Sequence, residues 1–145
     1  MGVNVALLRD LSLFRDLTED QLEKVATLCS EVPVFSGETF CREGEPAKAF
    51  FVVSRDEVEI LYTAGGDAMA CREWVGTGEV LGIRALIPPY KYSATLRGVT
   101  EGTLLAVDVI KLVELLQQDD RLAECLLVYV MRTILSRNTT LRSLL

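Results

Sequence analysis

Apolar positions follow a helical period at the start of the chain and an alternating one after it. Leu7, Leu8 and Leu11 share one face, which predicts a short first helix. Leu17-Thr18-Glu19-Asp20-Gln21-Leu22 then carries a helix start: Thr18 and Gln21 have capping-box spacing, and Leu17 and Leu22 can staple across it. Leu22, Val25, Ala26 and Cys29 continue at helical spacing, with acidic residues in the first turn where the helix dipole favours them. Residues 1–30 are therefore expected to form two helices.

From Pro33 the period drops to two. Turn residues at Gly37, Gly44 to Pro46, Arg55-Asp56 and Gly65-Gly66-Asp67 cut the chain into short segments. Phe50 to Val53, Val58 to Tyr62, Ala68 to Trp74, Ala94 to Arg97 and Leu104 to Val107 are the clearest strands, rich in β-branched and aromatic residues. Gly65-Gly66-Asp67 suits a hairpin turn. Regular short strands of this kind predict a barrel or sandwich, an antiparallel β-roll over residues 31–108.

Helix returns at Asp108, which can cap Val109 to Leu116, and again after Gln118-Asp119-Asp120. Arg121 to Leu145 has no proline or glycine and reads as one long terminal helix with near-coiled-coil spacing. Residues 109–145 thus form a C-terminal helical hairpin. The class is α+β, with helices segregated to the two ends of the roll.

Composition narrows what such a fold can do. The 145 residues, half apolar and a quarter charged, suit a single domain over residues 1–145. Fifteen Lys and Arg against 21 Asp and Glu leave a formal charge of -6, which implies no sequence-independent grip on a phosphate backbone. There is no histidine, so histidine-dependent triads and histidine-ligated haem are excluded. Cys29, Cys41, Cys71 and Cys125 form no Cys-x-x-Cys pair and read as small buried apolar residues in a reducing compartment. No cofactor and no metal are expected. Apolar runs are too short to span a bilayer, so a cytoplasmic protein without a membrane partner is expected.

Other constellations offer little chemistry. Gly76-x-Gly78-x-x-x-Gly82 is only loosely like a dinucleotide fingerprint and sits in no strand–turn–helix crossover. Glu57 and Glu59 read as solvent-facing strand residues. Ser30, Ser36, Ser54 and Ser93 have no histidine to activate them. No catalytic residue is assigned and no enzyme is expected; chemistry through an acidic cysteine thiolate is the remaining enzymatic alternative.

The chain resembles the cyclic-nucleotide-binding domain family of catabolite-activator-like (CRP/FNR-like) regulators, kinase regulatory subunits and gated channels. Residues 10 to 28 are similar to the family's opening "LF..L...QL..LA" helix. FSGETFCREGEPAKAFFVVSRDEVEI, residues 35 to 60, is similar to its first strands and glycine turns. VGTGEVLGIRALIPPYKYSATLRGVTEGTLLAVD, residues 75 to 108, is similar to its phosphate-binding cassette and closing strand. Gly37, Gly44, Gly78 and Gly82 fall on the pattern's glycines, and Asp56 stands where the family usually has one more. The resemblance implies a jelly-roll-like, double-stranded β-helix.

In family members the cassette reads Gly-Glu-Leu-Ala-Leu, with Arg-Ser-Ala or Arg-Ala-Ala following. The glutamate binds the ribose 2′-hydroxyl and the arginine pairs with the cyclic phosphate. Here Gly82-Ile83-Arg84-Ala85-Leu86 and Tyr92-Ser93-Ala94 occupy the two motifs, so the glutamate is Ile83 and the arginine is Tyr92. These eight residues form the candidate ligand pocket. A bidentate arginine–phosphate contact contributes roughly 1.5–3 kcal/mol, and a phenol suits a neutral or aromatic occupant better than an anion. The expected function is a non-enzymatic regulatory or sensor module in signal transduction that does not bind cAMP or cGMP in the usual way, answering instead to another small-molecule effector or to a protein. The alternative is the effector-binding half of a transcription regulator that holds cyclic nucleotide through substituted contacts, with Arg84 or Lys91 supplying the cation.

In the family the long helix both lids the pocket and forms the dimer seam. The resemblance implies a homodimer through Leu127, Val130, Ile134, Leu141 and Leu144, with Tyr129 or Thr133 reaching toward the pocket. The family's transcription regulators continue into a helix-turn-helix, whereas this chain stops at Leu145, so direct DNA binding is not expected.

Overall fold

The computed structural model describes residues 3–55, 57–65 and 69–135. Helix α1 (Val5–Arg9) is capped by Asn4, whose side chain accepts from the Ala6 amide. A 3-10 turn (Ser12–Phe14) leads to α2 (Glu19–Ala26). The capping box forms as the spacing predicts: the Gln21 amide donates to Thr18 Oγ1 at 3.2 Å, and the Thr18 amide donates to Gln21 Oε1 at 2.9 Å. Leu8, Leu11, Phe14, Leu22 and Val25 are all buried in the core.

Cys29 corrects the expected helical stretch. The helix ends at Ala26 and Cys29 opens strand β1 (Cys29–Val34), paired antiparallel with the last strand through Cys29 and Val107. Its apolar side chain suits a buried helix face and a buried strand equally, and the Val107 partner decides.

After β1 come β2 (Thr39–Cys41), β3 (Ala49–Arg55), β4 (Val58–Ala64), β5 (Met69–Val75), β6 (Val80–Leu81), β7 (Thr95–Gly98) and β8 (Gly102–Asp108). They form two four-stranded antiparallel sheets, ordered β1-β8-β3-β6 and β2-β7-β4-β5. This is the expected α+β roll. β4 and β5 pair from Val58 with Val75 to Ala64 with Met69, the register of the expected hairpin; Gly66 and Asp67 of its turn lie outside the described residues, as does Asp56. Where register shifts between Val53 and Arg55, the buried Ser54 hydroxyl donates to the Thr103 carbonyl at 3.1 Å. That bond satisfies a polar group inside an otherwise apolar strand.

Helix α3 (Val109–Gln118) starts as predicted at Asp108, whose carboxylate accepts from the Lys111 amide at 3.0 Å. Helix α4 (Asp120–Leu135) follows directly, with Asp119 accepting from the Leu122 amide at 3.0 Å. Leu122 and Leu126 anchor α4 in the core. Val130 and Ile134 belong to α4, while Leu141 and Leu144 lie outside the described residues.

Candidate functional site

Strand β6 ends in a tight change of direction at Gly82, where φ is +75. Glycine reaches this left-handed region without steric cost. Space also requires it: a Cβ here would stand 3.2 Å from Tyr92 Cε1, 3.6 Å from Cys41 Sγ and 3.7 Å from Phe51 Cδ2. The turn launches a 3-10 helix (Ile83–Leu86) that buries Ile83 and Ala85 and leaves Arg84 and Leu86 half-buried. The chain then passes Pro88, Pro89 and the exposed Tyr90 before Lys91 bridges to Pro46.

Tyr92 turns back into the protein and is 9% exposed. Its hydroxyl donates to the Ala49 carbonyl at 2.6 Å. Its amide donates to the Glu45 carbonyl at 3.1 Å, and its carbonyl accepts from the Gly44 amide at 2.9 Å. All three polar groups of the residue are thereby satisfied within the chain. Burial, reinforced by the neighbouring Cys41 thiol, pushes the phenol above its ordinary pKa, so it remains a neutral donor. Burial likewise pushes the Cys41 thiol up to about 12, against a smaller lowering from Tyr92. Phe51, beside Gly82, packs edge-on against Phe40 with ring centroids 5.4 Å apart.

Gly82, Ile83, Ala85, Tyr92 and Ala94 are each buried, giving this segment an apolar floor in which Gly82 lies against Tyr92 and the one hydroxyl is committed to Ala49. Arg84 and Ser93 are half-buried beside them, and Lys91 is exposed. Such a floor presents hydrocarbon and an aromatic ring, with its one hydroxyl already bonded within the chain. Among the described residues, no three His, Cys, Asp or Glu side chains gather as a metal would require.

Tyr129 corrects the expectation that it reaches this floor. It lines a different cleft, beside Ser12, Leu13 and Arg15 of the N-terminal turn, against which α4 packs. Leu127 is 60% exposed on α4. The side chains of Val130, Thr133 and Ile134 lie outside the described residues.

Sequence reasoning missed the role of Ala49, Cys41 and Phe51, which surround Gly82 and Tyr92 from β2 and β3. It also missed a second cleft on the outer side of the same segment. There the loop Pro46-Ala47-Lys48, the stretch Pro89-Tyr90-Lys91 and the first turns of α3 enclose about 670 Å³.

The family model described as cyclic nucleotide-binding domain matches residues 31–119. Human cGMP-dependent protein kinase 2 is 34% identical over 91 residues, 61% of this chain and 12% of the kinase. The chain spans less than a third of the length of the curated relatives it matches. The N-terminal domain of a transcriptional regulator from Streptomyces coelicolor A3(2) is 30% identical with a TM-score of 0.68, covering 88% of this chain and 89% of that one. The fold is shared by a crystal structure from Geobacter metallireducens GS-15, with a TM-score of 0.78 and 23% identity over 93% of this chain and 98% of that one. It is shared also by the sensor domain of the transcriptional regulator DNR from Pseudomonas aeruginosa, with a TM-score of 0.70 and 23% identity over 94% and 97%.

Proposed function

Because the chain belongs to the cyclic nucleotide-binding domain family, we propose that it is a non-enzymatic regulatory module whose inner nucleotide site is filled by its own side chains. The observation that carries this reading is the buried Tyr92, with its hydroxyl on the Ala49 carbonyl. A cyclic phosphate arriving at this position would have to break that bond and would find no guanidinium in its place. Ile83, 7% exposed, offers no acceptor for a ribose hydroxyl. Loss of a charge-assisted contact and of a hydroxyl acceptor together lowers affinity by several orders of magnitude.

The module answers to a different effector and passes the response through α3 and α4. We place it in the cytoplasm, as a homodimer whose seam includes the exposed Leu127 together with Val130, Ile134, Leu141 and Leu144. No helix among the described residues is long and apolar enough to cross a membrane. Direct DNA contact is no part of this reading.

Calorimetric titration with cAMP and cGMP tests it. The expected result is no saturable heat up to millimolar ligand. Micromolar binding would overturn the reading and favour the alternative, the effector half of a transcription regulator. The likeness to the S. coelicolor N-terminal regulator domain supports that alternative.

A further inference from the structure

The outer cleft has features that the inner floor lacks. Ala85 and Val109 are buried at its base, while Tyr90, Ile110 and Val113 present large apolar side chains to solvent at 52%, 61% and 42% exposure. Clustered exposure of this kind marks a surface that something covers. Its volume of about 670 Å³ falls within the roughly 300–1,000 Å³ range of small-molecule sites.

The walls are held by main-chain bonds and need no rearrangement. The Ala47 amide donates to the Tyr90 carbonyl at 2.8 Å, joining the loop to the 82–94 segment. The Val109 amide donates to the Lys48 carbonyl at 3.0 Å, joining the same loop to α3. Main-chain bonds at both ends of the loop reduce the ordering that binding costs.

Charge selects the occupant. Lys48 and Lys91 line the cleft against one acidic residue, Glu114 of α3, on a chain whose formal charge is -6. Among the described residues neither lysine has a carboxylate within 4.0 Å. An apolar trough with two uncommitted ammonium groups on its loop side fits an apolar body with an anionic head.

We propose that this cleft binds an amphipathic carboxylate, an aliphatic or aromatic body with a single anionic head directed at Lys48 and Lys91. Such a ligand touches the 82–94 segment on one side and α3 on the other, so its binding stiffens the joint between the roll and the C-terminal helices. The inference goes beyond the closed inner site and does not depend on it.

The test uses the full chain, with decanoate as the probe and decanol as its neutral counterpart. Calorimetry reads affinity, and amide NMR shifts read location. Saturable one-to-one binding of decanoate is expected, with shifts at Ala47, Tyr90, Ile110 and Val113. Lys48→Glu combined with Lys91→Glu should weaken decanoate by about tenfold while leaving decanol within about twofold. Ile110→Asp should abolish both. All three substitutions fall on exposed positions, and Lys48→Ala with Lys91→Ala gives a milder second pair should charge reversal disturb the fold. Absence of saturation, or affinity unchanged in both lysine pairs, overturns the proposal. So does a change of oligomeric state in Ile110→Asp by light scattering without any decanoate binding, which would assign the cleft to a second copy. The cAMP titration reports on the inner site alone, so either reading can fail while the other stands.

Discussion

The Tyr92 hydroxyl and the Ala49 carbonyl meet at 2.6 Å, closing the 82–94 segment onto the first residue of β3. The bond makes the phenol a structural part of the core. Tyr92→Phe keeps the ring and removes the donor. It should lower stability by about 1 kcal/mol, seen in urea unfolding as a lower midpoint at unchanged slope.

Three glycines should rank by what a methyl group meets. At Gly44 there is nothing within 4 Å, so alanine there bears only the left-handed backbone cost, about 1 kcal/mol. At Gly82 the same backbone cost adds to a Tyr92 ring 3.2 Å from the new carbon, for about 2–3 kcal/mol in all. At Gly102 the new carbon would lie 1.8 Å from Cγ1 of the buried Val58, forcing β8 and β4 apart. Thermal unfolding of the three alanine variants should give Gly102→Ala as the least stable and Gly44→Ala as the most.

The four thiols should divide in two. Burial pushes Cys29 and Cys41 up to about 12, leaving roughly one molecule in ten thousand as thiolate at pH 8. Cys71 and Cys125 are only partly buried. Under native conditions a thiol reagent such as dithiobis-nitrobenzoate should label Cys71 and Cys125 well before Cys29 and Cys41, and all four should react together in denaturant. Mass mapping of the labelled peptides checks the order.

Asp119 should give stability a pH dependence of known sign. The Leu122 amide, ahead of smaller help from Gln21 and Lys24, holds its carboxyl below the ordinary aspartate range. The folded chain therefore releases this proton more readily than the unfolded chain does. The contribution is present above the ordinary carboxylate range and is lost as pH falls through the depressed folded value. Melting temperatures of Asp119→Ala and the parent chain should differ at pH 7 and converge as the pH drops below about 4.

Local signals were legible and distant partners were not. Thr18 with Gln21, and Asp108 before Val109, start helices through bonds spanning three residues, so spacing alone reveals them. β6, only Val80 and Leu81, is too short to show a period and exists because β3 pairs with it. Cys29 follows a helical spacing yet joins a strand because its Val107 partner lies at the far end of the roll. Motif spacing singled out Gly82 and Tyr92, which the fold places side by side. The acceptor that completes Tyr92 is a backbone carbonyl 43 residues earlier, and carbonyls carry no sequence signature. The outer cleft escaped for a related reason: Pro46, Tyr90 and Ile110 read as loop and helix surface until the fold gathers them.

Among the described residues the second sheet ends at β5, which is paired with β4 on one side only. Seven residues of open margin with Trp74 facing outward would invite a stray strand to lie down alongside it. Arg72 stands on that strand and reaches Glu59 across the pair at 2.6 Å, with Glu73 as its neighbour in the chain. A newcomer would have to strip water from these charges before gaining a single main-chain bond. Charge on the described margin of β5 therefore works against the addition of a further strand.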